Sequence, residues 1–162
     1  MRLATLALAE VEARRKSEKL ALSEAAAELG VKDPEAIRFA HRLVLEALRH
    51  LNLLDELVEM ALQGELSASE LRPRVRAFLR LMAYRAAIEG ARPRELAAFA
   101  RAGREALGRG RLRPLEPFLG RLAFLRPEDA LARRSGDERL ALELRVPPWL
   151  LATLSRELGR RR

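Results

Sequence analysis

The chain is punctuated as a series of helices. Pro34, Pro73, Pro93, Pro127 and Pro148 each stand where an apolar series begins, and Gly30, Gly64, Gly90, Gly108, Gly136 and Gly159 stand where series end. Proline has its φ already set for a helix and lacks an N–H that the first turn could not use. Glycine admits the left-handed conformation that closes a helix. Between these marks the chain has little material for strands. Aromatics are 4% of the 162 residues. The core must come from Leu and Ala, both strong helix formers, and few β-branched runs interrupt them.

The spacing predicts a first helix from about Arg2 to Arg15, and a second capped by Ser17 and stopped by Gly30. A third opens at Asp33-Pro34 and runs to about Leu51, and Asn52 opens a fourth that Gly64 ends. Ser69 or Arg72-Pro73 starts the next, closed by Gly90, and Arg92-Pro93 starts another, closed by Gly108. Further helices are expected near Glu116 to Leu125, after Pro127, after a cap at Asp137, and from Pro148 to Gly159. Ile37, Ala40, Val44, Ala47, Leu48 and Leu51 recur at three and four, as do Val75, Phe78, Leu79, Met82 and Ala86. Leu96, Phe99, Ala100, Gly103 and Leu107 form a third such stripe. Each stripe marks one buried face. The fold class expected is all-α, a helical bundle of about eight to ten helices with short connections. Residues 1–136 are expected to form the domain and residues 137–162 an appended linker and helical segment.

Several kinds of chemistry are excluded. There is no cysteine, so disulfides, thiolate nucleophiles and Cys-based zinc sites are out. His41 and His50 are the only histidines, too few to anchor a metal site. His41 falls on an apolar stripe and reads as a packed residue. No Ser or Cys nucleophile motif and no paired carboxylates stand out, so no catalytic residue, metal or cofactor is expected. No apolar run is long enough to span a bilayer. The N-terminal MRLATLALAEVEARR turns acidic at once and reads as a helix rather than a signal peptide. A cytoplasmic location and no membrane partner follow as expectations. Asn and Gln occur once each, at Asn52 and Gln63, and Arg far outnumbers Lys. That depletion fits a thermophile; a GC-rich genome accounts equally well for the arginine bias.

The net charge of +8 is uneven. Residues 1–70 hold 9 basic and 13 acidic side chains, whereas residues 71–114 hold 12 arginines against three glutamates. In that block Arg72, Arg76 and Arg80 repeat at spacing four, off the apolar stripe. Arg94, Arg101 and Arg104 line the outer face of the next helix. The loop GRGRLRP adds Arg109, Arg111 and Arg113 with no acid close by in sequence. Phosphates would relieve the repulsion among them, and guanidinium forks match phosphates well. Glutamates of the acidic N-terminal half are the alternative partners, above all for Arg72, Arg76 and Arg80. No aromatic is interleaved with the arginines, which favours backbone or shape recognition over base stacking.

Two other motifs carry less. Leu22–Arg42 has the outline of a helix-turn-helix, but residues 17–36 hold two lysines against five acids. A unit that faces DNA phosphates should not be acidic. GRGRLRP follows no strand and lacks the GK[ST] ending of a phosphate-binding loop.

Three segments together resemble a known family. RFAHRLVLEALRHLNLLDELV is similar to the signature helix pair of NusB-like domains, through Phe39, Ala40, Leu43, Val44, Leu48, Arg49, Leu54 and Asp55. VRAFLRLMAYRAAIEGARPRELAAFAR is similar to the next pair, through Leu79, Arg80, Tyr84 and Pro93. DERLALELRVPPWLLATLSRELG resembles the segment that joins such a domain to the catalytic domain of RsmB/Sun-type RNA cytosine-5 methyltransferases, through Pro148, Trp149, Leu150 and Gly159. The resemblance spans most of residues 36–159. It implies a NusB-like fold and an RNA-binding role on structured rRNA or tRNA. It also implies a junction at Trp149, Leu150, Leu151 and Leu154 toward a methyltransferase domain in cis or in trans. The family's chemistry uses a Cys nucleophile and S-adenosylmethionine, and this chain has neither the Cys nor a Gly-rich cofactor loop.

The expected function is therefore that of a non-catalytic RNA-binding module for rRNA or tRNA methylation. The alternatives are a transcription antitermination factor of the NusB type, or an interaction module whose apolar surface forms a homodimer while its arginines serve as ion-pair partners.

Overall fold

The computed structural model describes residues 1–108, 110 and 113–159. Its described residues form ten α-helices and no strand, the all-α bundle that the punctuation predicts. Helix α1 (Arg2–Arg14) buries Leu3 through Ala9 without a break. A helix that is apolar all round belongs inside a bundle, and α1 packs against the helices that follow it as α2, α3, α5 and α6.

Caps decide where the next helices begin and end. In α2 (Glu18–Leu29) the Ser17 hydroxyl accepts from the Leu20 N–H, and Gly30 closes the helix at φ 64°. In α3 (Pro34–Arg49) the Asp33 carboxylate accepts from the Glu35 N–H at 3.0 Å. His50 then separates α3 from α4 (Leu51–Leu62), so α3 starts at Pro34 as predicted but stops slightly early, and α4 starts and stops slightly ahead of the predicted positions. Each such cap contributes about 1 kcal/mol. A fully buried Leu contributes about 2 kcal/mol. The stripes therefore choose which elements pack, and the caps set their limits.

After a short 3₁₀ turn (Ala68–Glu70), α5 (Pro73–Ala83) runs through the middle of the bundle, with Ala77 through Ala83 all buried. It ends in a π turn over Tyr84–Ile88, in which the Glu89 N–H donates to the Tyr84 carbonyl at 3.0 Å. Helix α6 (Pro93–Leu107) buries Leu96, Phe99, Gly103 and Leu107, with Phe99 stacked on Phe78 of α5 at 6.3 Å between ring centroids. A 3₁₀ turn (Arg113–Leu115) leads into α7 (Glu116–Leu122), and α8 (Pro127–Ala132) follows. Both lie against α4.

The main apolar cluster runs from Leu3 to Ala130. Two further helices, α9 (Gly136–Leu144) and α10 (Pro148–Gly159), bury Ala141, Leu142 and Leu151 apart from it. Helix α9 begins at Gly136 with Asp137 inside its first turn, one position ahead of the predicted cap. Asn52 on α4 ties this segment down: its amide donates to the carbonyls of Ala141 and Val146, each at 2.9 Å. The buried Glu56 of α4 also holds Arg134, which lies between α8 and α9, at 2.7 Å, and that contact raises the pKa of Arg134.

Candidate nucleic-acid interface

The arginine-rich block divides into a neutralised half and an open half. Arg80 sits inside the bundle at 6% exposure. Its Nε and Nη2 donate to the two oxygens of Asp55 at 2.6 and 3.0 Å, and its Nη1 donates to Glu12 at 2.9 Å. Arg76 pairs with the same Glu12 at 2.6 Å and donates to the Ala68 carbonyl at 2.9 Å. Spacing alone placed both on an outward face. The carboxylates of α1 and α4 instead draw them inward, the glutamate alternative set out above. Arg72, the residue just before α5, is exposed and makes no ion pair among the described residues. It borders a separate depression of about 320 Å³ shared with Glu10, Arg14 and Arg74.

The open half is carried by α6. Pro93 starts the helix, and the Glu95 carboxylate accepts the Arg92 backbone N–H at 2.9 Å. That hydrogen bond holds Glu95 below the usual glutamate pKa. The buried stripe leaves Arg94, Arg101 and Arg104 on the outside, all three exposed as predicted. Gly103 brings α6 close to α5, because its missing side chain leaves room for the Phe78 ring.

Beyond α6, Leu115 is buried at 4% and anchors the turn that carries Arg113. The result is a cleft of about 690 Å³ lined by Arg101, Arg104, Glu105, Gly110, Arg113 and Glu116. Among the described residues Arg101 and Arg113 make no ion pair, whereas Arg104 meets Glu116 at 2.7 Å. Arg94 is also unpaired among the described residues but does not line the cleft. Arg109 and Arg111 lie outside the described residues.

The basic loop is thus not remote from acids: Glu105 and Glu116 border the same cleft. Sequence reasoning passed over Glu116. The available signal was its place as the first acid after the loop. The cleft has the charge and size to hold phosphate groups, and among the described residues its lining includes no aromatic ring on which a base could stack.

The residues expected to face a partner domain are divided. Leu151 is buried at 6% and Leu150 is half-buried, while Trp149 and Leu154 are 68% and 45% exposed. His41, predicted to be packed, is half-buried, and its Nε2 finds no hydrogen-bond partner among the described residues. Among those residues no three His, Cys, Asp or Glu side chains gather as a metal site, and no helix is long and apolar enough to cross a membrane.

No family model, curated protein or solved structure matches the chain.

Proposed function

We propose that this chain is an RNA-binding module, without catalysis of its own, that holds structured rRNA or tRNA by its phosphates for a cytosine-5 RNA methyltransferase acting in cis or in trans. One observation carries the reading. Arg101 and Arg113 converge on the cleft with no carboxylate partner among the described residues. Two unpaired guanidinium groups in one cleft repel each other, and a phosphate backbone removes that cost.

The resemblance to NusB-like domains supplies the choice of RNA. The segments that carry it fall on α3 and α4, on α5 and α6, and on α9 and α10. The exposed Trp149 at the start of α10 is compatible with a junction to a catalytic partner.

The test is fluorescence anisotropy with a structured rRNA fragment and a matched DNA duplex, titrated across salt. RNA binding is expected, with a log–log salt slope that falls by about 0.7–0.9 for each phosphate contact removed. Arg101→Ala and Arg113→Ala should each lower the slope by roughly that amount. Absence of binding to either nucleic acid at low salt, or slopes unchanged in both variants, overturns the proposal.

A further inference from the structure

Arg104 reaches the cleft already paired. Its Nη2 stands 2.7 Å from a Glu116 oxygen, and the two side chains are 46% and 43% exposed. The pair joins two helices rather than two turns of one. Leu107 at the end of α6, and Leu115 and Phe118 around the start of α7, are each 4% exposed and hold the two backbones in place. A guanidinium presents the same N–H groups to a carboxylate as to a phosphate. At 2.7 Å the Glu116 oxygen fills space beside Arg104 that a phosphate oxygen would need.

We infer that Glu116 is a built-in competitor for a phosphate seat on Arg104, which an incoming polyanion must displace. This rests on the phosphate-binding reading above and names what the cleft selects. An ion pair half open to water is weak, and the displaced carboxylate stays hydrated because it already faces solvent. A single free phosphate has to offset the lost pair alone. A closely spaced array of phosphates, held at the same time by Arg101 and Arg113, shares that cost among several contacts. The favoured ligand class is thus the dense phosphate array of a folded RNA strand, rather than a mononucleotide or inorganic phosphate.

Glu105 provides the internal control. It borders the same cleft and carries the same charge, but it makes no ion pair among the described residues. The experiment compares Glu116→Gln, Glu105→Gln, Arg104→Ala and the Arg104→Ala/Glu116→Gln double variant in RNA anisotropy titrations across salt, with thermal melts to confirm folding. Glu116→Gln should tighten binding about threefold, the equivalent of releasing one exposed ion pair, with the salt slope unchanged because Arg104 meets a phosphate in both proteins. Glu105→Gln should tighten binding less and leave the slope alone. The Glu116→Gln gain should vanish when Arg104 is absent. Equal gains from both glutamates, a gain that survives without Arg104, or no gain at all overturns the inference. Failure of both the wild-type chain and Glu116→Gln to bind at low salt overturns the RNA reading beneath it.

Discussion

Gly103 of α6 faces the ring of Phe78 so closely that a Cβ on it would overlap the ring's Cε2 and Cζ atoms. Phe78 is fully buried and stacked on Phe99, so the ring has nowhere to move. Alanine at position 103 would gain about 1 kcal/mol of helix propensity. Overpacking a filled core costs about 1–3 kcal/mol. Gly103→Ala should therefore be destabilising, by about 1 kcal/mol net. Urea unfolding measures it, and the loss should disappear in a Phe78→Leu background, where the ring is gone. A more stable Gly103→Ala protein would show that α6 can move away from α5 at little cost.

Arg80 tests the division between neutralised and open arginines. Its guanidinium holds Asp55 and Glu12 from inside the bundle. Removing one partner of a buried pair costs about 3–5 kcal/mol. Both carboxylates keep some exposure, 38% for Asp55 and 27% for Glu12, so they remain hydrated and the loss from Arg80→Met should be nearer 2 kcal/mol. Arg80→Lys should recover little, because an ammonium cannot reproduce the fork. Denaturant midpoints give the size. The salt slope of RNA binding by the folded Arg80→Met protein should match the wild type, since Arg80 reaches no phosphate.

Much of the fold was open to reading because its signals are local. Ser17, Asp33-Pro34 and Arg92-Pro93 act within a turn of themselves, and each begins a helix where predicted. The exposed face of α6, with Arg94, Arg101 and Arg104, also followed from one helix's own period. What was hidden depends on distant parts of the chain. Arg76 and Arg80 read as outward because a single buried stripe on α5 leaves them outside it. With Ala77 through Ala83 all buried, α5 has little outward face there, and its charges must find acids on α1 and α4. No periodicity within α5 records residues 12 and 55. Glu116 stands only three residues after Arg113, but its pairing with Arg104 joins two helices and is recorded in the period of neither. The π turn at Tyr84–Ile88 follows a stripe that reads as an unbroken α-helix.

Glu95 should give α6 a measurable dependence on pH. The Arg92 backbone N–H that it accepts lowers its pKa below the ordinary 4.5. A folded-state value below the unfolded one contributes stability above the unfolded pKa, and that contribution is lost as pH falls through the folded value. Glu95→Gln should therefore melt at a lower temperature than the wild type at neutral pH. The two melting curves should converge as pH is taken well below 4.5. A difference that stays constant across this range would remove the carboxylate from the capping of α6.

Asn52 should decide how firmly the C-terminal helices are attached. One side-chain amide satisfies two carbonyls, those of Ala141 and Val146. The Glu56–Arg134 pair secures the approach to α9 but not its far end. Asn52→Asp places an oxygen where the amide nitrogen faced both carbonyls, so two acceptors lose their donor and gain a repulsive neighbour. Each unsatisfied buried group costs about 1–3 kcal/mol. That cost should fall on α9 and α10, whose buried residues stand apart from the main cluster. Hydrogen exchange in residues 136–159 should accelerate in the variant, while amides of α1 and α5 keep their protection. Equal acceleration throughout the chain would make the last two helices part of one cooperative unit with the bundle.

Trp149 reports on whether its face is covered in solution. It is the only tryptophan and is 68% exposed, with Leu154 and Leu158 at 45% and 66% on the same helix. In the isolated chain its emission should therefore be that of a hydrated indole, quenched by acrylamide almost as readily as in the unfolded protein. Burial of an indole in a protein interface would shift the emission to shorter wavelength and shield it from quencher. If two copies of the chain pair through this face, that shift must grow with protein concentration. It must also vanish in Thr153→Glu, which places a charge one helical turn from Trp149 while leaving the buried Leu151 in place. Emission and quenching that stay constant from nanomolar to high micromolar concentration rule out self-association there. The exposed surface of α10 would then remain open for a partner other than a second copy.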